Sequence, residues 1–108
     1  MLQRYSVWAP EAQRVDVHLG VDGARVEPMS PEGGGWWSVD ADPGDGRYAF
    51  SLDGGDPLPD PRARRMPDGV HAASALVDPG GFDWSDGDWK GCPLKGSVIC
   101  ELHIGTFT

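Results

Sequence analysis

The sequence predicts an all-β fold, an antiparallel β-sandwich, and three observations carry that reading. Apolar and polar residues alternate over short runs, and turn signals recur about every ten residues. No window keeps a helical period for more than two turns before Gly or Pro interrupts it. Sixteen Gly and ten Pro among 108 residues form a quarter of the chain, well above the usual ~12%. Five Trp supply large anchors for a small core. A chain of this length holds one domain.

The elements follow in order. Tyr5 to Trp8 reads as a first strand stopped by Ala9-Pro10. Arg14 to Leu19 alternates, with Val15, Val17 and Leu19 facing one way and Asp16 and His18 the other, so His18 is expected to face solvent or a neighbouring domain. Asp22-Gly23 turns the chain, and Ala24 to Met29 returns as an antiparallel partner. Pro31 and Gly33-Gly34-Gly35 read as a flexible tip before a strand from Trp36 to Val39. After the turn Asp42-Pro43-Gly44-Asp45-Gly46, Arg47 to Leu52 alternates again: Tyr48, Phe50 and Leu52 inward, Arg47, Ala49 and Ser51 outward. Pro57, Pro59, Pro61 and Pro67 make an irregular crossing, and Ser74 to Asp78 gives a last short strand. This rhythm suits an immunoglobulin-like sandwich without that fold's disulfide.

Charge and cysteine content narrow the function classes. Seventeen acidic and nine basic residues give a formal charge of −8, which argues against nucleic acid and anionic membranes as partners. Most of the acids sit in turns, where a carboxylate caps backbone N–H groups. No leader peptide or membrane-spanning run is visible, and Cys92 and Cys100 read as two unpaired thiols of a cytoplasmic protein. A disulfide between them stays open.

The C-terminal part reads differently. Pro79 to Gly96 is linker-like, yet it carries Phe82, Trp84 and Trp89, which implies that it is pinned against a surface. Val98 to Thr108 is nearly continuously apolar, the pattern of a strand covered on both faces in a parallel sheet or barrel. Such a strand needs neighbours, and none follow. The expected organisation is therefore a sandwich over residues 1–80, a linker packed on a domain surface over 81–97, and the first strand of a larger domain over 98–108.

Several phrases carry a family resemblance. Glu101-Leu102-His103-Ile104-Gly105-Thr106-Phe107-Thr108 closely resembles the segment that opens the catalytic barrel of α-amylase-type glycoside hydrolases, above all the maltooligosyltrehalose trehalohydrolases. Val7-Trp8-Ala9-Pro10, with Val15-Asp16-Val17, is similar to the start of the early-set, glycogen-binding-type modules that precede those barrels. Pro28-Met29, Gly35-Trp36-Trp37, Tyr48-Ala49-Phe50 and the crossing from Asp60-Pro61 to Val70-His71 resemble trehalohydrolase phrases in the same order. Ala63, Ala72-Ala73 and Cys100 depart from that pattern, which keeps branching and debranching relatives in view. The resemblance implies an accessory module whose (β/α)8 barrel lies beyond residue 108 and whose parent releases trehalose from maltooligosyltrehalose. It also implies that the nucleophile and acid of the reaction stand on later barrel strands.

No residue is assigned a catalytic role. Glycoside hydrolysis needs two facing carboxyl groups, and Glu11, Glu27 and Glu32 fall in turns or at strand ends while Glu101 suits a structural bond. His71 and His103 resemble family positions without a catalytic task; His103 would bond inside a barrel core. The binding candidates are Trp36, Trp37, Trp84 and Trp89, since an indole ring can stack on the apolar face of a glucose unit. Trp36 and Trp37 point to opposite faces of one strand: one belongs to the core, and the other packs on the barrel or meets glucan. Trp84 and Trp89 suit a role in fixing the linker. Arg62, Arg64, Arg65 and His71 are candidates for the cleft or the domain boundary, although ion pairs with the module's own aspartates are the simpler role for the arginines. No cofactor is implied. The acidic groups Asp40, Asp42, Asp45 and Asp83, Asp86, Asp88 lack the ligand order of a calcium loop. Two rivals remain beside the trehalohydrolase reading: an independent α-glucan-binding module and a protein-interaction sandwich.

Overall fold

The computed structural model describes residues 1–107. Seven strands run through the first three-quarters of the chain: β1 Gln3–Trp8, β2 Val15–Leu19, β3 Arg25–Pro28, β4 Ser30–Gly33, β5 Trp36–Ala41, β6 Arg47–Leu52 and β7 Ser74–Ala75. They form two antiparallel sheets, a three-stranded one ordered β1-β5-β4 and a four-stranded one ordered β3-β2-β6-β7. This is the all-β sandwich that the alternation predicts.

The core lies between the sheets. Tyr5 and Val7 of β1 face the same way as Val39 and Trp37 of β5. Val15, Val17 and Leu19 of β2 face them from the other sheet, beside Tyr48 and Phe50 of β6. Val15 and Val17 are wholly buried, each contributing about 1.5–3 kcal/mol of apolar transfer energy. The Tyr48 ring packs against Tyr5 at 5.3 Å and edge-on to Phe50 at 5.7 Å.

Several elements differ from the sequence reading, each for a physical reason. The expected flexible tip is instead a strand: β4 pairs with β5 from Ser30↔Ser38 to Gly33↔Trp36 around an irregularity, and Gly34-Gly35 is the hairpin turn. Pro31 and the glycines hide β4 because their composition is that of a loop. The last strand ends at Ala75, while Asp78 accepts from the Gly80 N–H to start a single 3-10 turn, Pro79–Gly81. Ala49 and Ser51 are buried, although they face outward, while Leu52 at the strand end is 38% exposed. His18 covers that outer face: its Nε2 lies 3.0 Å from Ser51 Oγ and its Nδ1 3.2 Å from the Gly23 carbonyl. His18 is thus half-buried in a local network.

The proline-rich crossing is tied to β6 at two places. Phe50 and Leu58 exchange both backbone hydrogen bonds, at 2.8 and 2.7 Å. The Tyr48 hydroxyl donates to Asp60 at 2.8 Å, and the Asp60 N–H donates to Ser74 Oγ at 2.9 Å. These bonds bring residues 60–64 to the side of the sandwich where β1 and β7 are the outer strands.

Residues 98–107 form no strand. Their backbone is irregular apart from a 3-10 turn at Ile104–Thr106, because a two-faced strand exists only where neighbours accept its hydrogen bonds. Thr108 lies outside the described residues. The linker aromatics do not pack on the sandwich either: Phe82, Trp84 and Trp89 are 62–70% exposed, and the Phe82–Trp84 edge contact at 4.8 Å joins two residues of the linker itself. A radius of gyration of 18.5 Å, against ~13 Å for a compact domain of this size, reflects that projecting segment. Cys92 and Cys100 lie on it as free, exposed thiols.

Candidate functional site

The strongest arrangement lies on the outer face of the three-stranded sheet. With Tyr5 and Val7 inward, alternation turns Arg4, Ser6 and Trp8 outward; on β5 the same face presents Trp36, Ser38 and Asp40. Pairing then sorts them into three rungs: Trp8 opposite Trp36, Ser6 opposite Ser38 with Ser30 beyond it, and Arg4 opposite Asp40 with Glu32 nearby.

Trp8 is tied to the β4–β5 turn. Trp8 Nε1 donates to the Gly34 carbonyl at 2.9 Å, and the Ala9 N–H donates to the Gly35 carbonyl at 2.8 Å. Gly35 has φ +85°, and a Cβ there would lie 2.7 Å from Pro10 Cβ and 2.9 Å from Trp8 Nε1. Only glycine lets the β4–β5 turn close against Trp8. Trp8 is 58% and Trp36 36% exposed. The Arg62 guanidinium stands 5.7 Å from the Trp36 ring centroid, a cation–π distance.

At the other end one guanidinium meets two carboxylates. Arg4 pairs with Glu32 and with Asp40, and its Nη2 donates to Ser38 Oγ at 3.0 Å. The Ser38 hydroxyl and the Arg4 guanidinium hold the Glu32 carboxyl below its usual range, and the same pairing raises Arg4.

The expected site residues separate. Trp36 is the outward member of its pair; Trp37 turns into the core, its Nε1 donating to the Ala9 carbonyl at 3.1 Å. Trp84 and Trp89 stand on the projecting segment, away from both. Arg62 and Arg64 line a cleft of about 290 Å³ with Arg4, Ser6, Tyr48 and Asp60. The ion pairs expected of Arg62, Arg64 and Arg65 with turn aspartates are not formed among the described residues. The aspartates are occupied elsewhere: Asp45 accepts from the N–H groups of Arg47, first, and Val21, second, which lower its pKa, and Asp42 caps Gly44. His71 lies with His18 beside a shallow groove of about 150 Å³ between the β2–β3 turn and the crossing. His103 is exposed and bonds Thr106 Oγ1 locally at 3.2 Å.

Trp8 is the residue that sequence reasoning missed. Its outward direction follows from Tyr5 and Val7, but its position beside Trp36 is a matter of register between strands almost thirty residues apart.

Comparison with known proteins agrees with this architecture. The family of carbohydrate-binding module 48, the isoamylase N-terminal domain, matches residues 3–79. A malto-oligosyltrehalose trehalohydrolase from Rhizobium sp. (strain M-11) is 50% identical over 97% of this chain and 19% of its own length. A 1,4-alpha-glucan branching enzyme GlgB from Ralstonia nicotianae is 35% identical over 96% of the chain and 16% of its own length. The chain thus spans about a fifth of these curated relatives. A crystal structure of a putative alpha amylase from Salmonella typhimurium superposes with a TM-score of 0.84 at 34% identity, covering 99% of this chain and 18% of that one. A pullulanase from Paenibacillus barengoltzii complexed with maltotetraose gives 0.58 at 28% identity over 69% of this chain and 13% of its own. The outward tryptophan pair thus belongs to a sandwich of known kind: the chain is a member of the carbohydrate-binding module 48 family found at the N-termini of α-amylase-family enzymes.

Proposed function

We propose that this chain is the non-catalytic N-terminal module of a cytoplasmic maltooligosyltrehalose trehalohydrolase, and that it packs on the catalytic barrel and shapes one side of its cleft. The observation that carries the proposal is the projecting segment. Trp84, Trp89, Leu94, Val98 and Ile99 are all at least 70% exposed, and such a run of apolar side chains needs a covering surface that the sandwich does not supply. The relatives, several times longer than this chain, have room for that surface. The Arg62–Arg64 side of the sandwich would then border the cleft.

Two experiments test the reading. The 108-residue chain is expected to release no trehalose from maltooligosyltrehalose; turnover by a pure sample would overturn it. The coding sequence after Thr108 is expected to continue into an α-amylase-type barrel, and an unrelated domain there ends the proposal.

A further inference from the structure

We infer that Cys92 and Cys100 form a reversible disulfide site, with a small-molecule disulfide such as oxidised glutathione as its oxidant. The site stands on the projecting segment alone and does not depend on how the module meets a barrel.

A turn sets the two thiols on facing arms. The Ser97 N–H donates to the Leu94 carbonyl at 3.1 Å. Gly96, third in that turn, has φ +83°, the left-handed backbone that a type II turn requires there. The Ser97 hydroxyl adds a bond to the Pro93 carbonyl at 2.6 Å. The chain therefore reverses between Cys92, two residues before the turn, and Cys100, three residues after it. The arms form no ladder, and Val98 and Ile99 are 97% and 77% exposed, so no packing holds the second arm away. Each arm is free to turn its thiol toward the other within the Cα separation of ~4.4–6.8 Å that a disulfide spans. The turn already supplies part of the ordering that closing the ring costs. Both thiols are free and exposed, and the chain has no third cysteine to compete.

Charge sets the order of attack. Lys90 and Lys95 are the only lysines of the chain, and both stand within three residues of Cys92, whereas Glu101 adjoins Cys100. An anionic disulfide is steered to Cys92. The Cys92 thiolate attacks one sulfur of oxidised glutathione, the glutathione S–S bond breaks, and one glutathione leaves as a thiolate that takes up the proton Cys92 lost. The Cys100 thiolate then attacks the Cys92 sulfur of the mixed disulfide, and the second glutathione leaves and takes up the Cys100 proton. Two electrons pass from the cysteines to glutathione, and exchange with reduced glutathione reopens the ring. Exposed disulfides are the labile, regulatory kind. The closed ring holds the Val98 arm against the linker, so oxidation opposes the packing proposed above; that consequence rests on the packing proposal, and the ring itself does not.

The 108-residue chain, equilibrated with oxidised and reduced glutathione and then alkylated, tests the site by intact mass and by trypsin digestion without reduction. The expected product is a monomer lighter by two hydrogens, in which residues 91–95 and 96–108 stay joined after cleavage at Lys95. Added reduced glutathione should reverse it. Glutathione should add to Cys92 in C100S severalfold faster than to Cys100 in C92S, a gap that salt narrows; equal rates overturn the order of attack. Gly96→Ala should lower the disulfide equilibrium constant about fivefold or more, because alanine is strained at that φ. Disulfide-linked dimers, glutathione adducts on both thiols without ring closure, or an equilibrium unmoved by Gly96→Ala overturn the site. Each of these results leaves the packing proposal to its own tests.

Discussion

The Tyr48 hydroxyl donates to the Asp60 carboxylate at 2.8 Å across the side of the sandwich. That one bond joins an interior strand of the four-stranded sheet to the crossing that carries Arg62 and Arg64. Asp60 also caps the Arg62 N–H at 2.8 Å and donates its own N–H to Ser74. The position of Arg62 beside Trp36 therefore depends on a tyrosine in the core.

Tyr48→Phe should cost about 1.5–3 kcal/mol of stability, the range for a hydrogen bond to a charged group. Denaturant unfolding measures it. A variant as stable as the wild type would mean that Asp60 is satisfied by solvent and that the crossing does not need this tie.

Alkaline pH should loosen the same region. Burial, first, and the bond to Asp60, second, raise the Tyr48 pKa far above its ordinary value of 10.0; burial likewise raises Tyr5. A group whose folded pKa is raised adds stability that is fully present below its unfolded pKa and fades as pH climbs toward the folded value. Stability should therefore hold to about pH 10 and fall above it. Ultraviolet titration should show two tyrosines ionising late and together with unfolding; normal titration of both would contradict the structure.

Gly35→Ala should destabilise the sandwich by about 1–3 kcal/mol, since φ is +85° and the added methyl would meet Pro10 at 2.7 Å. Thermal unfolding reads the loss. Gly34→Ala should cost less, because no atom lies within 4 Å of a Cβ at that equally left-handed position.

Trp84→Ala and Trp89→Ala should change the stability of the 108-residue chain by no more than ~0.5 kcal/mol, as expected for exposed positions. In a longer protein with a barrel, the same changes should lower the melting temperature. Equal, near-zero effects in both settings would remove the packing role of the projecting segment.

Much of this molecule was legible in the chain itself. The alternation of Val15, Val17 and Leu19, and that of Tyr48 and Phe50, names the core strands, because a sheet with one buried face permits no other pattern. The turn aspartates announce their caps, and the family phrases announce the module. The β4 strand was not legible, since Pro31 and the glycines around it carry loop chemistry and join a ladder only because β5 offers an edge. Nor was the site: Trp36 could be named as one of two outward candidates, but its neighbour Trp8 is distant in sequence. Local pattern decides which face each side chain takes. Which side chains then become neighbours is settled by strand register and by the crossing that Tyr48 and Asp60 hold in place, and these exist only once the sheets have paired.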